Sequence, residues 1–183
     1  MPRLSAAGRA ANIGALSRRD DMMDFTLNGQ PQRLALAPDY PLLDALRQHL
    51  GLHSVRLGCG QEQCGTCHVL IDGRSVPTCN SSVDRIAGRQ VTTIEAGRDG
   101  CTDAWQPILH ALQQAFVVEE AAQCGYCTSG LIIAAAALLA AEPAPDAARV
   151  RTALDGHLCR CGAHGRIVRA VLRAAQQLQE APA

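Results

Sequence analysis

From Asp24 onward the chain runs in short segments that alternate apolar and polar positions. "DFTLNG" and "QRLALA" read as two strands, and Asn28-Gly29 between them supplies a turn with easy access to positive φ. "YPLLDALRQHL" reads as a helix that Asp39 is placed to cap, with Pro41 tolerable in its first turn and Gly51 at its end. "CHVLIDGRSVPTC" predicts two strands joined at Asp72-Gly73, and "QVTTIEA" predicts another. These elements make a small, sheet-rich unit ending near Ala96.

The period then changes. "WQPILHALQQAFVVEEAA" has helical spacing that puts Ile108, Leu112 and Ala115 on one side. "GLIIAAAALLAA" is an alanine-rich helix for which Thr128 or Ser129 is a start, and "AEPAPD" stops it. "AARVRTALDGHL" is a third helix. "GRIVRAVLRAAQQLQ" is a fourth, with Ile167, Val171, Ala174 and Leu178 along one stripe. Four such helices bury their apolar faces by packing as a bundle. The junction falls at about residues 97 to 104, where "GRDGCTDA" is polar and carries two glycines. The expected division is a 1–23 extension without order, a 24–98 unit and a 99–180 unit, together an α+β protein.

Composition narrows the function. An apolar fraction of 48% supports packed cores, and seventeen basic residues against seventeen acidic ones give no support for broad binding to nucleic acid. The most apolar stretch falls short of the roughly 20 residues a bilayer span needs, so no direct membrane insertion is expected. The first residues lack the apolar core of a Sec signal, and no apolar segment follows Arg18-Arg19 as a twin-arginine signal requires. Met22 or Met23 is a candidate start. The expected location is the cytoplasm, with periplasmic association only through a partner.

Nine cysteines dominate the composition. An odd number does not pair completely within one chain, and clustered thiols in a reducing compartment serve metals or catalysis. Cys59, Cys64, Cys67 and Cys79 lie in the first half, Cys124, Cys127, Cys159 and Cys161 in the second, and Cys101 between them. The first four follow the C-x4-C-x2-C spacing, with a later cysteine, that plant-type [2Fe–2S] centres use. A short loop wraps three thiolates around a compact anion, and a nearby strand brings the fourth. Gly58, Gly60 and Gly65 let the backbone bend closely, so that amides point at the sulfurs. Structural zinc favours two short knuckles, whereas the first gap here is four residues. His68 reads as a strand residue rather than a ligand, since four cysteines already suffice. The second set places one cysteine pair before the alanine-rich helix and another between the third and fourth helices. Taken alone, that set leaves zinc or buried structural thiols open.

Jointly, "GCGQEQCGTC", "QCGYCTSG" and "LCRCG" resemble the small iron–sulfur subunit of the molybdenum hydroxylases, the xanthine oxidase family. The resemblance spans Asp24 to about Leu178. It implies a ferredoxin-like, β-grasp N-terminal domain and a C-terminal four-helix bundle, each holding one [2Fe–2S] cluster. It further implies that Cys59, Cys64, Cys67 and Cys79 bind the cluster farther from molybdenum. Cys124, Cys127, Cys159 and Cys161 would bind the nearer one, with Gln123 approaching the molybdopterin of a large partner subunit. The usual family ending is "CRCTGY", with "TPG" after the earlier pair; here "GAHGRI" and "TSG" stand in those places, and no ligand is lost. The "CRCG-x-H-x-RI" ending resembles a branch that includes isoquinoline oxidoreductase and nicotinate dehydrogenase small subunits.

That resemblance implies an electron relay. The partner subunit would hydroxylate an N-heterocycle or an aldehyde, and this chain would pass electrons to FAD, to haem c of a c-type cytochrome, or to another acceptor. The chain itself shows no nucleotide-binding glycine loop and no acid–base spacing, so substrate chemistry is expected in the partner. The competing readings are a stand-alone ferredoxin and a zinc-binding structural module. Cys101 receives no role, and His164 reads as a residue capping or packing against the last helix.

Overall fold

The structure is a computed structural model that describes residues 22–180; the expectation for residues 1–21 lies outside them. Five strands form one mixed sheet: β1 (Met22–Leu27), β2 (Gln30–Ala35), β3 (His68–Ile71), β4 (Arg74–Pro77) and β5 (Gln90–Thr92), in the order β2-β1-β5-β3-β4. β1 pairs antiparallel with β2 and parallel with β5, while β3 lies antiparallel to both β5 and β4. Both hairpins turn where the dipeptide signals placed them: Asn28 and Gly29 have φ of 49° and 77°, Asp72 and Gly73 of 48° and 78°. Two consecutive positive φ values match the right-handed twist of the flanking strands. β1 includes Met22 and Met23, the last two residues of the expected 1–23 extension, and Met23 pairs with Leu34 and is buried.

Period-two alternation explains how one sheet serves two cores. Met23, Phe25 and Leu27 of β1 point into a core closed by Leu42, Leu46, Val83 and Ile86. In β3, Val69 and Ile71 point the same way, whereas Leu70 points into the helical core. A strand buried on both faces reads as a continuous apolar run, which is what "HVLI" is.

The first helix is short. α1 (Leu42–Asp44) passes directly into a π turn, Ala45–His49, and Asp39 does not cap it. Pro41 holds the N-cap position, and the leading Leu42 amide donates to Ser81 O at 2.8 Å, so a neighbouring segment satisfies it. "QVTTIEA" is a strand only through Thr92; Ile94–Gly97 forms a 3-10 turn whose Ala96 packs with the helices.

α2 (Gln106–Val118), α3 (Thr128–Ala141), α4 (Ala147–Leu154) and α5 (His164–Glu180) form a four-helix bundle. α2 and α4 each pack on both α3 and α5. α3 is buried nearly all round, as a helix apolar on every side must be, because β3 and β4 cover the face that its neighbouring helices leave. Its first residue is Thr128. Ser129 is no cap; its hydroxyl is buried inside the helix without a partner. Asp146 caps α4 by accepting the Arg149 amide at 2.7 Å. Along α5, Ile167, Val171 and Ala174 are buried as the stripe predicts, and Leu178 is partly so. Among the described residues, no helix is long and apolar enough to cross a membrane.

Glu119, just past α2, ties that helix to α5: it accepts from Arg173 Nε at 2.8 Å and Arg169 Nε at 3.0 Å. The Arg173 guanidinium foremost, with Arg169 beside it, holds the Glu119 carboxyl below its ordinary value of 4.5. A carboxyl depressed on folding contributes stability that is full above its unfolded pKa and is lost as pH falls through the folded one. The melting temperature should therefore decline as pH drops below about 4.5. Glu119→Gln should lower stability at neutral pH and flatten that decline; an unchanged acid limb in the variant would show that the ion pairs carry no such linkage.

Candidate metal-cluster sites

Residues 57–67 form a loop between the first helix and β3, and they contain three of the first four cysteines. Backbone amides turn inward on the sulfurs. Gln61 and Gln63 N–H both donate to Cys59 Sγ, and Cys59 N–H donates to Cys64 Sγ, each at 3.3 Å. Those two amides on Cys59 are the main reason its thiol is pushed down to about 7. Gly58 leaves the room this requires, since a Cβ there would lie 2.5 Å from Cys64 Sγ. Gly60 and Gly65 take positive φ of 67° and 74° within the same loop.

The fourth cysteine arrives on the strand side. Cys67 is 2% exposed at the entry to β3, and Cys79 follows β4, its hairpin partner. Thr78 Oγ1 donates to Cys67 O at 2.9 Å in a buried position, which fixes one strand end against the other. Burial pushes the Cys79 thiol up to about 11 despite an amide from Glu62. A thiol that is costly to ionise alone is one that benefits from a positive metal beside it. His68 is a β3 residue; its Nδ1 pairs with Ser75 Oγ at 2.8 Å, and burial first, then His157, pushes it down to about 4.

The second set is assembled from two loops at one end of the bundle. Cys124 and Cys127 precede α3, and Cys159 and Cys161 lie between α4 and α5. The Tyr126 amide, then Cys161, lowers the Cys124 thiol, with Arg56 adding to the effect. Burial opposes ionisation of Cys159, but amides of Ala163, Cys161 and Gly162 together with Cys127 outweigh it and lower its pKa. Cys127 is pushed up to about 11, first by burial and then by Cys159. Gln123 is exposed, and its Nε2 donates to Cys161 O at 3.3 Å. Cys101 belongs to neither set; its half-buried thiol faces Asn28 O at 3.5 Å.

Within each set, ionisation of one thiol is felt most by one neighbour, Cys59 with Cys64, Cys67 with Cys79, Cys124 with Cys161 and Cys127 with Cys159, and more weakly between Cys59 and Cys79 and between Cys124 and Cys127. None of the nine cysteines is bridged. Among the described residues, no three His, Cys, Asp or Glu side chains converge tightly enough to hold a single metal ion. Tetrahedral zinc draws four ligands to one point. In a [2Fe–2S] rhombus each tetrahedral iron already holds two sulfides, so it takes two thiolates, and four cysteines serve as two pairs. A donor set coupled most strongly two by two fits the two-iron group.

The two sets are also stitched to each other, by residues that cysteine spacing alone does not single out. Tyr126 Oη donates to Leu57 O at 2.7 Å, and Arg56 Nη1 donates to Gly125 O and Tyr126 O while its guanidinium lies 5.4 Å from the Tyr126 ring centre. Leu158 N–H donates to Cys64 O at 3.1 Å. Gly130 lies so near Gly65 that a Cβ on it would come within 2.0 Å of Gly65 O. Around these loops Leu57, Tyr126 and Leu158 are exposed, a local apolar face beside the thiolates.

Comparison with known proteins agrees with this arrangement. Residues 25–93 match a 2Fe–2S iron–sulfur cluster binding domain, and residues 93–172 match a second [2Fe–2S] binding domain. The chain is 45% identical to one of the nicotinate dehydrogenase subunits of Pseudomonas putida, over 84% of this chain and 94% of that protein. It is also 45% identical to the alpha subunit of isoquinoline 1-oxidoreductase from Brevundimonas diminuta, over 85% of this chain and 99% of that one. The crystal structure of the aldehyde oxidoreductase from Desulfovibrio desulfuricans superposes with a TM-score of 0.79 at 40% identity; the match covers 87% of this chain and 17% of that much longer one. With two successive [2Fe–2S] domains and near-full-length relatives of this kind, the chain belongs to the small iron–sulfur subunits of the molybdenum hydroxylases, the xanthine oxidase family, and is the electron-transfer part of an oxidoreductase complex.

Proposed function

We propose that Cys59, Cys64, Cys67 and Cys79 hold the cluster farther from the catalytic subunit. Cys124, Cys127, Cys159 and Cys161 hold the nearer one. The division follows the 24–98 and 99–180 units. Each [2Fe–2S] group, when bound, supplies a site that accepts and releases one electron at a time. What supports the assignment is that each set of four cysteines falls within one of the two matched [2Fe–2S] domains, residues 25–93 and 93–172.

The chain's own residues set the conditions for that chemistry. The amides of Gln61, Gln63 and Tyr126 aim at sulfur and favour its anionic form. Arg56 adds positive charge beside Cys124. Amides and cations around the sulfurs are the levers that tune a cluster's potential.

The partner is a large molybdopterin-binding subunit. The exposed Gln123 beside Cys161 and the apolar residues Leu57, Tyr126 and Leu158 suit a face on which it closes. The complex acts on an N-heterocycle, the substrate class in the names of the two relatives above. Electrons leave through the first unit to a flavin subunit or a c-type cytochrome.

Iron, zinc and acid-labile sulfide analysis of anaerobically purified protein tests the assignment, with EPR after dithionite reduction. Two domains of two irons each predict four irons and four sulfides per chain and two distinct reduced signals. Stoichiometric zinc without sulfide would sink the assignment.

A further inference from the structure

The two cysteine sets differ in the charge around them. Between Leu57 and Cys67 the first loop carries one acidic side chain, the exposed Glu62, and no basic one. Residues 123–127, which bring in two cysteines of the second set, include neither an acidic nor a basic residue. A cation reaches them from the other unit. Arg56 stands three residues before Cys59, yet its Nη1 donates to Gly125 O and, at 3.3 Å, to Tyr126 O. Its guanidinium also lies 5.4 Å from the Tyr126 ring centre. These contacts hold a positive charge against the backbone between Cys124 and Cys127.

That charge is well placed to act. Arg56 is half-buried, so water screens it less than a surface charge, and among the described residues it forms no ion pair with a carboxylate. A guanidinium keeps its proton throughout the range in which proteins fold. The Cys124 thiol, lowered first by the Tyr126 amide, is lowered also by Arg56, whereas Cys59 owes its low value to the Gln61 and Gln63 amides and then to Cys64. Arg160 lies between Cys159 and Cys161 but is exposed, where solvent and salt weaken its field. A fixed cation favours the state of its neighbour that is more negative by one electron, and most strongly at the set it touches.

We propose that Arg56, a residue of the first unit, sets the reduction potential of the second thiolate set: its charge raises that potential selectively and so fixes the driving force between the two sets. The proposal rests on the ligand assignment above. As the second set is reduced by one electron its donor is oxidised by one, while Arg56 exchanges neither electron nor proton.

The test uses the full chain carrying its clusters, in wild-type form and as Arg56→Gln and Arg56→Lys. Potentiometric titration followed by EPR reads a midpoint for each reduced signal, and the signal that survives in Cys67→Ala identifies the second set. Arg56→Gln should lower the second midpoint and leave the first in place. In a half-reduced sample the ratio of second to first signal should fall by about tenfold, which is about 59 mV for a one-electron couple. Arg56→Lys keeps the charge without the planar fork and should stay near the wild-type ratio. An unchanged ratio in Arg56→Gln overturns the proposal, as do equal shifts of both signals or a lysine variant that shifts as far as the glutamine one. If Arg56→Gln loses the second signal, Arg56→Lys decides: a wild-type ratio supports the proposal, and a shifted ratio or a lost signal overturns it, since the loop would then need the shape of the guanidinium rather than its charge. A wild-type chain without iron and sulfide would instead remove the ligand assignment beneath the proposal.

Discussion

Replacing Cys67 by alanine is expected to halve the iron and sulfide of the purified chain, from four of each to two, and to abolish one of the two reduced EPR signals. Cys67 is the strongest position for this test because it is 2% exposed at the entry to β3, beside Cys79. Alanine leaves one iron short of a thiolate in a pocket whose other sulfurs are already committed. The signal from the second set should survive, since all four of its cysteines come from the bundle and its approaches. A bound cluster stabilises the state that binds it, so the variant should also melt earlier than the loaded wild type. Retention of four irons per chain would show that Cys67 is not a ligand.

Gly130→Ala should destabilise the chain by about 3 kcal/mol, the upper end of the usual overpacking cost. At roughly 2–4 °C per kcal/mol for a chain of this size, thermal unfolding would move down by about 6–12 °C. The sign is informative because helix propensity points the other way. Gly130 is the third residue of α3, where alanine is ordinarily better than glycine by about 1 kcal/mol. The added Cβ would lie 2.0 Å from Gly65 O, 2.9 Å from Gly65 C and 3.0 Å from Thr66 Cα, all backbone atoms that no rotamer change removes. The bundle must back away from the first cysteine loop, which strains the Leu158–Cys64 hydrogen bond across the same junction. Differential scanning calorimetry checks the stability, and a variant as stable as wild type would show that the junction has slack.

The elements that were legible in the chain are those whose cause is local. Asn28-Gly29 and Asp72-Gly73 announced two hairpins because consecutive positive φ values select these dipeptides. The α5 stripe announced its buried face because the 3.6-residue period repeats over several turns. The misreadings share a different cause. Asp39 is not a cap because Ser81, distant in the chain, already takes the Leu42 amide. Ser129 lies inside α3 with its hydroxyl buried, although a serine beside the start of a helix reads as a cap. "QVTTIEA" stops being a strand at Thr92 because the next turn is recruited by the helical core.

The same division holds for the site. Spacing along the chain pointed to the first set, whose three loop thiols lie within a few residues of one another as wrapping a compact anion requires, whereas the second set, split between two distant loops, was read through the resemblance to the family. Spacing does not say how four sulfurs approach. Which thiols couple most strongly, the sharing of β3 between two cores, and the placement of Arg56 and Tyr126 across the junction were decided by the tertiary structure. The physical reason is range: turn chemistry and periodicity act over a few residues, whereas these contacts join segments that only the packing of α3 against β3 and β4 brings together.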